Sequence, residues 1–244
     1  MVSISNMKQL LSIADEKVNI LEEEIDVQVQ KEYFALLNKL NKNVNARTQL
    51  TQEYIERLND LFDDTIDIEV KKEMLILLAA IDDVTIYRTI EHLSKQDSPI
   101  QKWATIALQQ ARMILQSSLL DDPGYFISTG LGGQGSLLRY FCVFPYRNKE
   151  ELADYQKNIL KNELALMLQK QNGSFENIEF YNRFSTASLL MPLKTDIPQV
   201  LADVIDECNI YGNFLVENIL VTNVKKFTEE EILQLLDRKT DLKS

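Results

Sequence analysis

Apolar residues recur at the spacing of an α-helix through the first half of the chain. Three segments each begin with a β-branched residue, continue with a polar residue and a lysine, and then carry an apolar stripe: 29–40, 70–81 and 100–111. Another amphipathic run precedes each segment, and these runs are 7–21, 54–62 and 84–93. Because residues three and four positions apart share one face of a helix, the pattern predicts three stacked helix pairs.

Helix-breaking residues are absent from most of this half. The first proline is Pro99, and all seven glycines follow residue 123. Since glycine and proline are the most costly residues in a helix interior, their absence favours helices here. The paired runs resemble HEAT or armadillo repeats, most clearly at 83–112, which implies a helical stack with a concave groove. The segments are offset by 41 and 30 residues, whereas these families repeat at about 40–47, so an irregular helical bundle is the alternative.

The pattern changes at Leu137, where strand-like segments begin. The predicted strands are 137–146, 176–182, 185–193 and 213–222. The predicted helices are 148–171, opened by a capping-box pattern at 148–151, then 195–211 and 228–236. This order over 137–222 resembles the ferredoxin-like βαββαβ fold, with both crossover helices on one sheet face and the other face open. The sequence thus predicts an α+β protein with a HEAT-like helical domain at 1–120, a glycine-rich junction at 121–136 and a ferredoxin-like domain at 137–244.

The charge balance is acidic, with a net charge of −11, and both halves are negative. Because such a surface repels polyanions at long range, the charge argues against nucleic acid and anionic membranes as partners. The sequence shows neither the pattern of a secretory signal nor a run long enough to span a membrane, so a cytoplasmic protein is expected. Cys142 and Cys208 belong to no motif and are expected to be buried free thiols.

A glycine cluster is the sharpest local feature of the sequence. With its neighbours it supplies the candidate ligand-binding residues, which are Thr129, Gly130, Gly132, Gly133, Gly135 and Arg139. Glycines let backbone amides approach an anion closely. The cluster precedes a strand and lacks the ending of a P-loop, however, so an interdomain junction or a wide turn is the alternative.

Basic and aromatic residues are interleaved on and after the first predicted strand. The candidate partner-binding residues are Tyr140, Tyr146, Arg147, Tyr181 and Arg183. On a ferredoxin-like sheet, aromatic side chains could stack on RNA bases. The third predicted strand has neither an aromatic residue nor the signature of RNA-recognition domains, which favours a core or an interface instead.

Catalytic chemistry is not indicated. His92 is the one histidine of the sequence, so no histidine cluster can hold a metal or supply a second base. The acidic runs lie at predicted helix ends without the spacing of a calcium loop, and their expected role is to stabilise helix N-termini. We therefore predict no catalytic residue, no metal site and no cofactor, and an enzyme is not the expected class.

The predicted function is that of a non-enzymatic adaptor, in which the helical groove holds a protein partner of basic character. Self-association as a homodimer through the open sheet face is a further option, and nucleic acid is not expected as a partner. Two alternatives stay open: a regulatory protein that senses a small ligand, by analogy with ferredoxin-like ACT domains, and an RNA-binding protein that uses the sheet face. A hydrolase or transferase that uses the glycine loop ranks last.

Overall fold

Helices and an antiparallel sheet make up the chain, which confirms the predicted α+β class. The computed structural model describes residues 18–120 and 125–241. The chain divides into two compact units, one ending at Ser128 and the other beginning at Thr129. The predicted domain limits at 120 and 137 stay a prediction, and the acidic start of the predicted junction at 121–124 lies outside the described residues.

The first unit is mainly helical. Its helices are α1 Val27–Asn41, α2 Val44–Glu56, α3 Ile68–Leu78, α4 Val84–Ser94 and α5 Gln101–Leu120, with a 3-10 helix at Leu58–Phe62. Side chains of Asp26, Asn43, Asp67 and Asp83 accept hydrogen bonds from backbone N–H groups in the first turns of α1 to α4. The acidic residues at these joints therefore cap helices, because the first N–H groups of a helix have no partner within it.

Aromatic and small side chains fill the core of the helical unit. The Tyr33 ring lies 5.5 Å from that of Trp103, between their centroids. The Tyr33 hydroxyl donates to Oε1 of Gln110 at 2.9 Å, so the buried phenol is satisfied. Lys72 places its ammonium 4.9 Å from the Trp103 ring centroid. Three alanines at helical spacing on α5 are buried and allow close helix packing: Ala104, Ala107 and Ala111.

Two parts of the helical pattern prediction differ from the structure. The run 7–21 was expected to be helical, but residues Val18–Ile20 form strand β1, which pairs in parallel with β2 Tyr125–Ile127. Residues 7–17 of that run lie outside the described part of the chain. The run 54–62 does not form one helix, because it spans the end of α2 and the 3-10 helix. The rest of α2 was missed because its residues are mostly exposed, so its apolar stripe is weak.

The second unit has the ferredoxin-like arrangement predicted from element order. Its strands are β3 Gly133–Gln134, β4 Leu137–Pro145, β5 Ser174–Phe180, β6 Phe184–Pro192 and β7 Leu220–Thr222, and its helices are α6 Asp154–Lys170, α7 Ile197–Ile210 and α8 Glu229–Asp241. The central order is β7–β4–β6–β5, with all neighbours antiparallel, and β3 pairs with the start of β4. A bulge between Phe175 and Asn177 interrupts the edge strand β5.

Helix α6 begins later than the capping-box pattern predicts. Lys149 has a φ of 56°, a left-handed conformation that cannot continue a helix, and the helix starts at Asp154. There the N–H of Ala153 donates to Oε1 of Gln156 at 2.9 Å. The predicted stop is confirmed, because Asn172 is left-handed and the Gly173 N–H donates to the Leu168 carbonyl at 2.8 Å.

Candidate functional site

Strand alternation gives the sheet two chemically different faces. Phe144 of β4 and Leu189 of β6 point into a core built with α6 and α7. Phe141 and Phe184 belong to a separate cluster on the opposite face. Because successive side chains in a strand point to opposite sides, each of these strands supplies both faces.

Helix α8 covers part of the second face. Its start is a capping box, in which the Glu231 N–H donates to the Thr228 hydroxyl at 3.2 Å and the Thr228 N–H donates to the Glu231 carboxylate at 3.0 Å. Buried Ile232 packs on the sheet cluster, and Arg183 pairs with Asp237 at 2.7 Å. In the described residues the sheet face that was expected to be open is therefore partly covered by α8, and self-association through it stays a prediction.

Beside α8 the second face holds a cavity of about 230 Å³, which we call the sheet pocket. Its lining combines three aromatic rings, polar groups from the neighbouring strands β5 and β6, and one lysine. The lining residues are Phe141, Asn177, Glu179, Tyr181, Thr186, Ser188, Lys226, Phe227 and Ile232. A few polar groups converging beside apolar walls are typical of ligand-binding sites.

A hydrogen-bond network fixes the polar side of the sheet pocket. The Tyr181 hydroxyl donates to Oε2 of Glu179 at 2.7 Å, and Nδ2 of Asn177 donates to Oε1 of the same carboxylate at 3.4 Å. Oδ1 of Asn177 accepts from the Ser188 N–H at 3.3 Å, which ties the network to β6. The hydrogen bond to Glu179, with burial, raises the pKa of Tyr181 to about 12, so the phenol stays a donor at neutral pH.

The aromatic side chains that line the sheet pocket contact other aromatic rings and the ammonium group of a lysine. Tyr181 stacks on Phe184 with centroids 4.8 Å apart and planes at 25°. Phe227 lies 6.5 Å from Phe141, between centroids, and the ammonium of Lys225 stands 4.7 Å from the Phe227 ring. These contacts hold the rings in place without a ligand, which lowers the entropy cost of binding one.

An ion pair lies on the same sheet face. Nε and one terminal nitrogen of Arg139 donate to the two carboxylate oxygens of Glu176 at 2.6 and 2.7 Å. The Arg139 hydrogen bonds hold the pKa of Glu176 below its ordinary value.

We expect the Arg139→Met variant to raise the pKa of Glu176 toward its ordinary value of 4.5. In the wild-type protein the stabilisation from this carboxylate is present above that value and is lost as the pH falls through the lowered pKa. A carboxyl-carbon NMR titration of both proteins measures the change. An unchanged Glu176 midpoint would contradict the role given to Arg139, and the Glu231 carboxyl, whose pKa is lowered by Lys225 instead, is the internal control.

The glycine cluster forms a packed turn ahead of β4. The Leu131 side chain is buried, and the carbonyls of Leu131 and Gly132 accept from the Arg139 guanidinium and backbone N–H at 2.7 and 3.0 Å. The Thr129 hydroxyl also donates to the Gly132 carbonyl, at 3.2 Å. Gly133 is paired with β4 in the sheet, and Gly135 is exposed with a φ of 59°. Ligand binding by these residues stays a prediction.

The predicted partner-binding residues do not form one surface but lie in different parts of the second unit. Tyr140 lies on the sheet face that packs against α6 and α7, and Tyr146 is buried in the core on that face. Arg147 donates to the Leu215 carbonyl at 3.2 Å, and Arg183 forms the ion pair with α8. Tyr181 is the member of this set that lines the sheet pocket, and partner binding by all five stays a prediction.

Several pocket residues were missed by sequence reasoning. They are Asn177, Glu179, Thr186, Ser188, Lys226 and Phe227. Thr186 and Ser188 do leave a signal, since they are polar residues two positions apart and so lie on one face of the strand, although Ser185 on the other face is polar as well. Lys226 and Phe227 follow the last strand, and nothing in their local sequence places them beside β5.

Metal and thiol chemistry find no support in the described residues. Within 18–120 and 125–241 there is no group of three or more His, Cys, Asp or Glu side chains that could hold a metal ion. Cys142 and Cys208 are buried and unpaired by a disulfide, as predicted, and burial raises the pKa of both thiols. In the same part of the chain, no helix is long and apolar enough to cross a membrane.

Comparisons with known proteins give a structural likeness and no match to a family model or a curated protein. A solved structure described as a "putative transposase" from Deinococcus radiodurans R1 matches with 16% identity and a TM-score of 0.37, over 43% of this chain and 93% of that one.

A neighbour so described contradicts two predictions made from the sequence. The adaptor function is withdrawn, and so is the expectation that nucleic acid is not a partner. At this TM-score the likeness supplies no positive argument for a function. What the protein binds has to be inferred from the sheet pocket itself.

Proposed function

We propose that the protein binds single-stranded nucleic acid and that the sheet pocket holds one nucleotide of that nucleic acid. The observation that carries this proposal is the lining of the pocket. Phe227 and Tyr181 supply partly exposed rings, while Thr186 and Ser188 supply hydroxyls beside them. Stacking on an aromatic side chain contributes about 1–3 kcal/mol per base, whatever the base.

The size of the sheet pocket favours a single base over a larger ligand. Its volume of about 230 Å³ lies below the roughly 300–1,000 Å³ of pockets that enclose drug-sized molecules. A base could enter from the surface while its sugar and phosphate remain outside. Lys226 lines the pocket, and Lys225, which is ion-paired with Glu231, lies beside Phe227, so positive charge is present near the place where a phosphate would lie.

The acidic charge of the protein limits which interactions can bind the nucleic acid. With a net charge of −11, long-range attraction of polyanions is absent, and binding must come from local contacts. A sequence-predicted cytoplasmic location would give such a site access to cellular RNA. We therefore expect weak binding that depends on stacking more than on phosphate neutralisation.

The test is fluorescence anisotropy with labelled mixed-sequence octamers of RNA and of DNA at low salt. We expect saturable binding, and a slope of log K against log[salt] near −1, because one or two phosphates would be neutralised at about 0.7 each. The Phe227→Ala variant should weaken binding by roughly tenfold or more, from the loss of stacking. Tyr211→Ala removes an exposed aromatic side chain outside the pocket and is the matched control.

Three outcomes would reject the proposal. One is the absence of binding for both octamers. Another is a salt slope several times steeper than −1, which would indicate a multi-phosphate contact elsewhere on the surface. The third is equal weakening by the Phe227 and Tyr211 substitutions. Saturable binding of a free metabolite in place of the octamers would instead support the small-ligand alternative for the same pocket.

A further inference from the structure

Glu179 is the one carboxylate among the residues that line the sheet pocket. Its two oxygens are held by separate donors, the Tyr181 hydroxyl and the Asn177 amide. An ionised carboxylate accepts hydrogen bonds only, and its two oxygens together have about four acceptor positions. After the two contacts within the protein, Glu179 retains capacity for two further donors, in an orientation fixed before any ligand arrives.

The bases differ in what they offer to such a group. Guanine presents two adjacent donors on its Watson–Crick edge, the N1–H and the N2 amino group, and both can reach one carboxylate. Adenine and cytosine place an unprotonated ring nitrogen beside their single amino group. Uracil and thymine flank their single N–H with two carbonyls. For these four bases the carboxylate gains at most one hydrogen bond and faces a repelling lone pair.

We infer that Glu179 selects guanine at the sheet pocket. This inference rests on the proposed nucleic-acid function and names the base that the pocket prefers. Lys226 lines the same cavity, and its ammonium could donate to O6 of guanine, next to the N1–H. Stacking by Phe227 and Tyr181 would contribute to all bases alike, so discrimination comes from the polar side of the pocket.

The size of the expected preference follows from the exposure of the site. A well-formed bidentate pair discriminates between bases by roughly 5- to 150-fold. Glu179 is exposed at the mouth of the pocket, where water competes for both partners. A preference of about tenfold for guanine, at the lower end of that range, is therefore expected.

The experiment uses the full chain and a set of thymidine octamers with one central G, inosine, A or C, beside the all-thymidine octamer. We expect the guanine oligonucleotide to bind about tenfold more tightly than those with A, C or T. Inosine keeps the N1–H but lacks the amino group, so its affinity should fall between. This comparison needs no variant of the protein.

The variant Glu179→Gln tests the residue itself. Its amide would present an N–H group to one of the guanine donors, so the preference for guanine over the other bases should fall to about twofold or less. Glu150→Gln, at an exposed carboxylate outside the pocket, is the control and should keep the wild-type preference. Thermal unfolding of both variants shows whether the fold is retained.

The possible failures separate the two claims. Equal binding of all five octamers by the wild-type chain would overturn the guanine inference and leave the nucleic-acid proposal standing. A guanine preference that survives in Glu179→Gln would overturn the role of this carboxylate. Absence of binding by all five octamers and by the mixed-sequence RNA octamer would overturn the proposed function, and the inference with it.

Discussion

Replacing Leu164 by alanine is expected to destabilise the sheet-containing unit by about 2–5 kcal/mol. Leu164 is fully buried on α6 and packs in the core that also contains Phe144 and Leu189. The substitution removes apolar contacts and leaves a cavity that a packed core fills only in part. A loss of this size is a large fraction of the stability of an ordinary domain, about 5–15 kcal/mol.

Leu166 provides a matched control on the same helix, because its side chain is 47% exposed. Leu166→Ala should change the unfolding free energy by no more than about 0.5 kcal/mol. Amide hydrogen exchange along β4 and β6, read by mass spectrometry, measures both variants within this unit. Similar losses of protection would mean that α6 does not pack on the sheet through the face that bears Leu164.

Replacing Gly130 by alanine is the second large expected effect, with a loss of about 1–3 kcal/mol. A Cβ at this position would collide with the carbonyl of Val224 and lie 3.0 Å from its Cα. These are backbone atoms, which cannot rotate away as the end of a flexible side chain can. The turn would have to separate from the segment after β7, where the Leu131 N–H now donates to the Asn223 carbonyl at 3.1 Å.

Gly135 is the matched control in the same cluster. A Cβ there would have no heavy atom within 4 Å apart from its chain neighbours, and the φ of 59° is one that asparagine tolerates. Gly135→Asn should therefore cost little, while Gly130→Asn should cost at least as much as Gly130→Ala. Hydrogen exchange in β7 and the following residues measures the difference. Equal stability of the Gly130 and Gly135 variants would contradict the close approach at Gly130.

The sequence was sufficient to predict the second unit in outline. Ile178 and Phe180 alternate with Glu179 and Tyr181 in the sequence, which is typical of a strand, and the structure places the two sets on opposite faces of the sheet. The helix stop at Gly173 was also correct. Its glycine allows the close approach of β6, since a Cβ there would lie 2.8 Å from the Leu190 carbonyl. These features were predictable because each depends on residues that are near one another in the sequence.

The sheet pocket was not predictable for the opposite reason. It joins Phe141, the β5–β6 hairpin and Phe227, which are far apart in the sequence, and its outline depends on where α8 lies. An aromatic pattern on β4 suggested an interface, but the pattern does not reveal that Tyr140 points to the helices and Phe141 to the pocket. Only the order of the strands brings the polar positions of β5 and β6 beside Phe141.

Trp103 gives the protein an internal optical probe. It is the one tryptophan of the sequence and is buried against Tyr33 in the helical unit, while the sheet pocket is lined by phenylalanine and tyrosine. Emission excited near 295 nm therefore follows the packing of the helical unit alone, during denaturation or during titration with an oligonucleotide. Since the proposed site lies in the other unit, a shift of that emission when the sheet pocket fills would be a direct optical readout of energetic coupling between the two units.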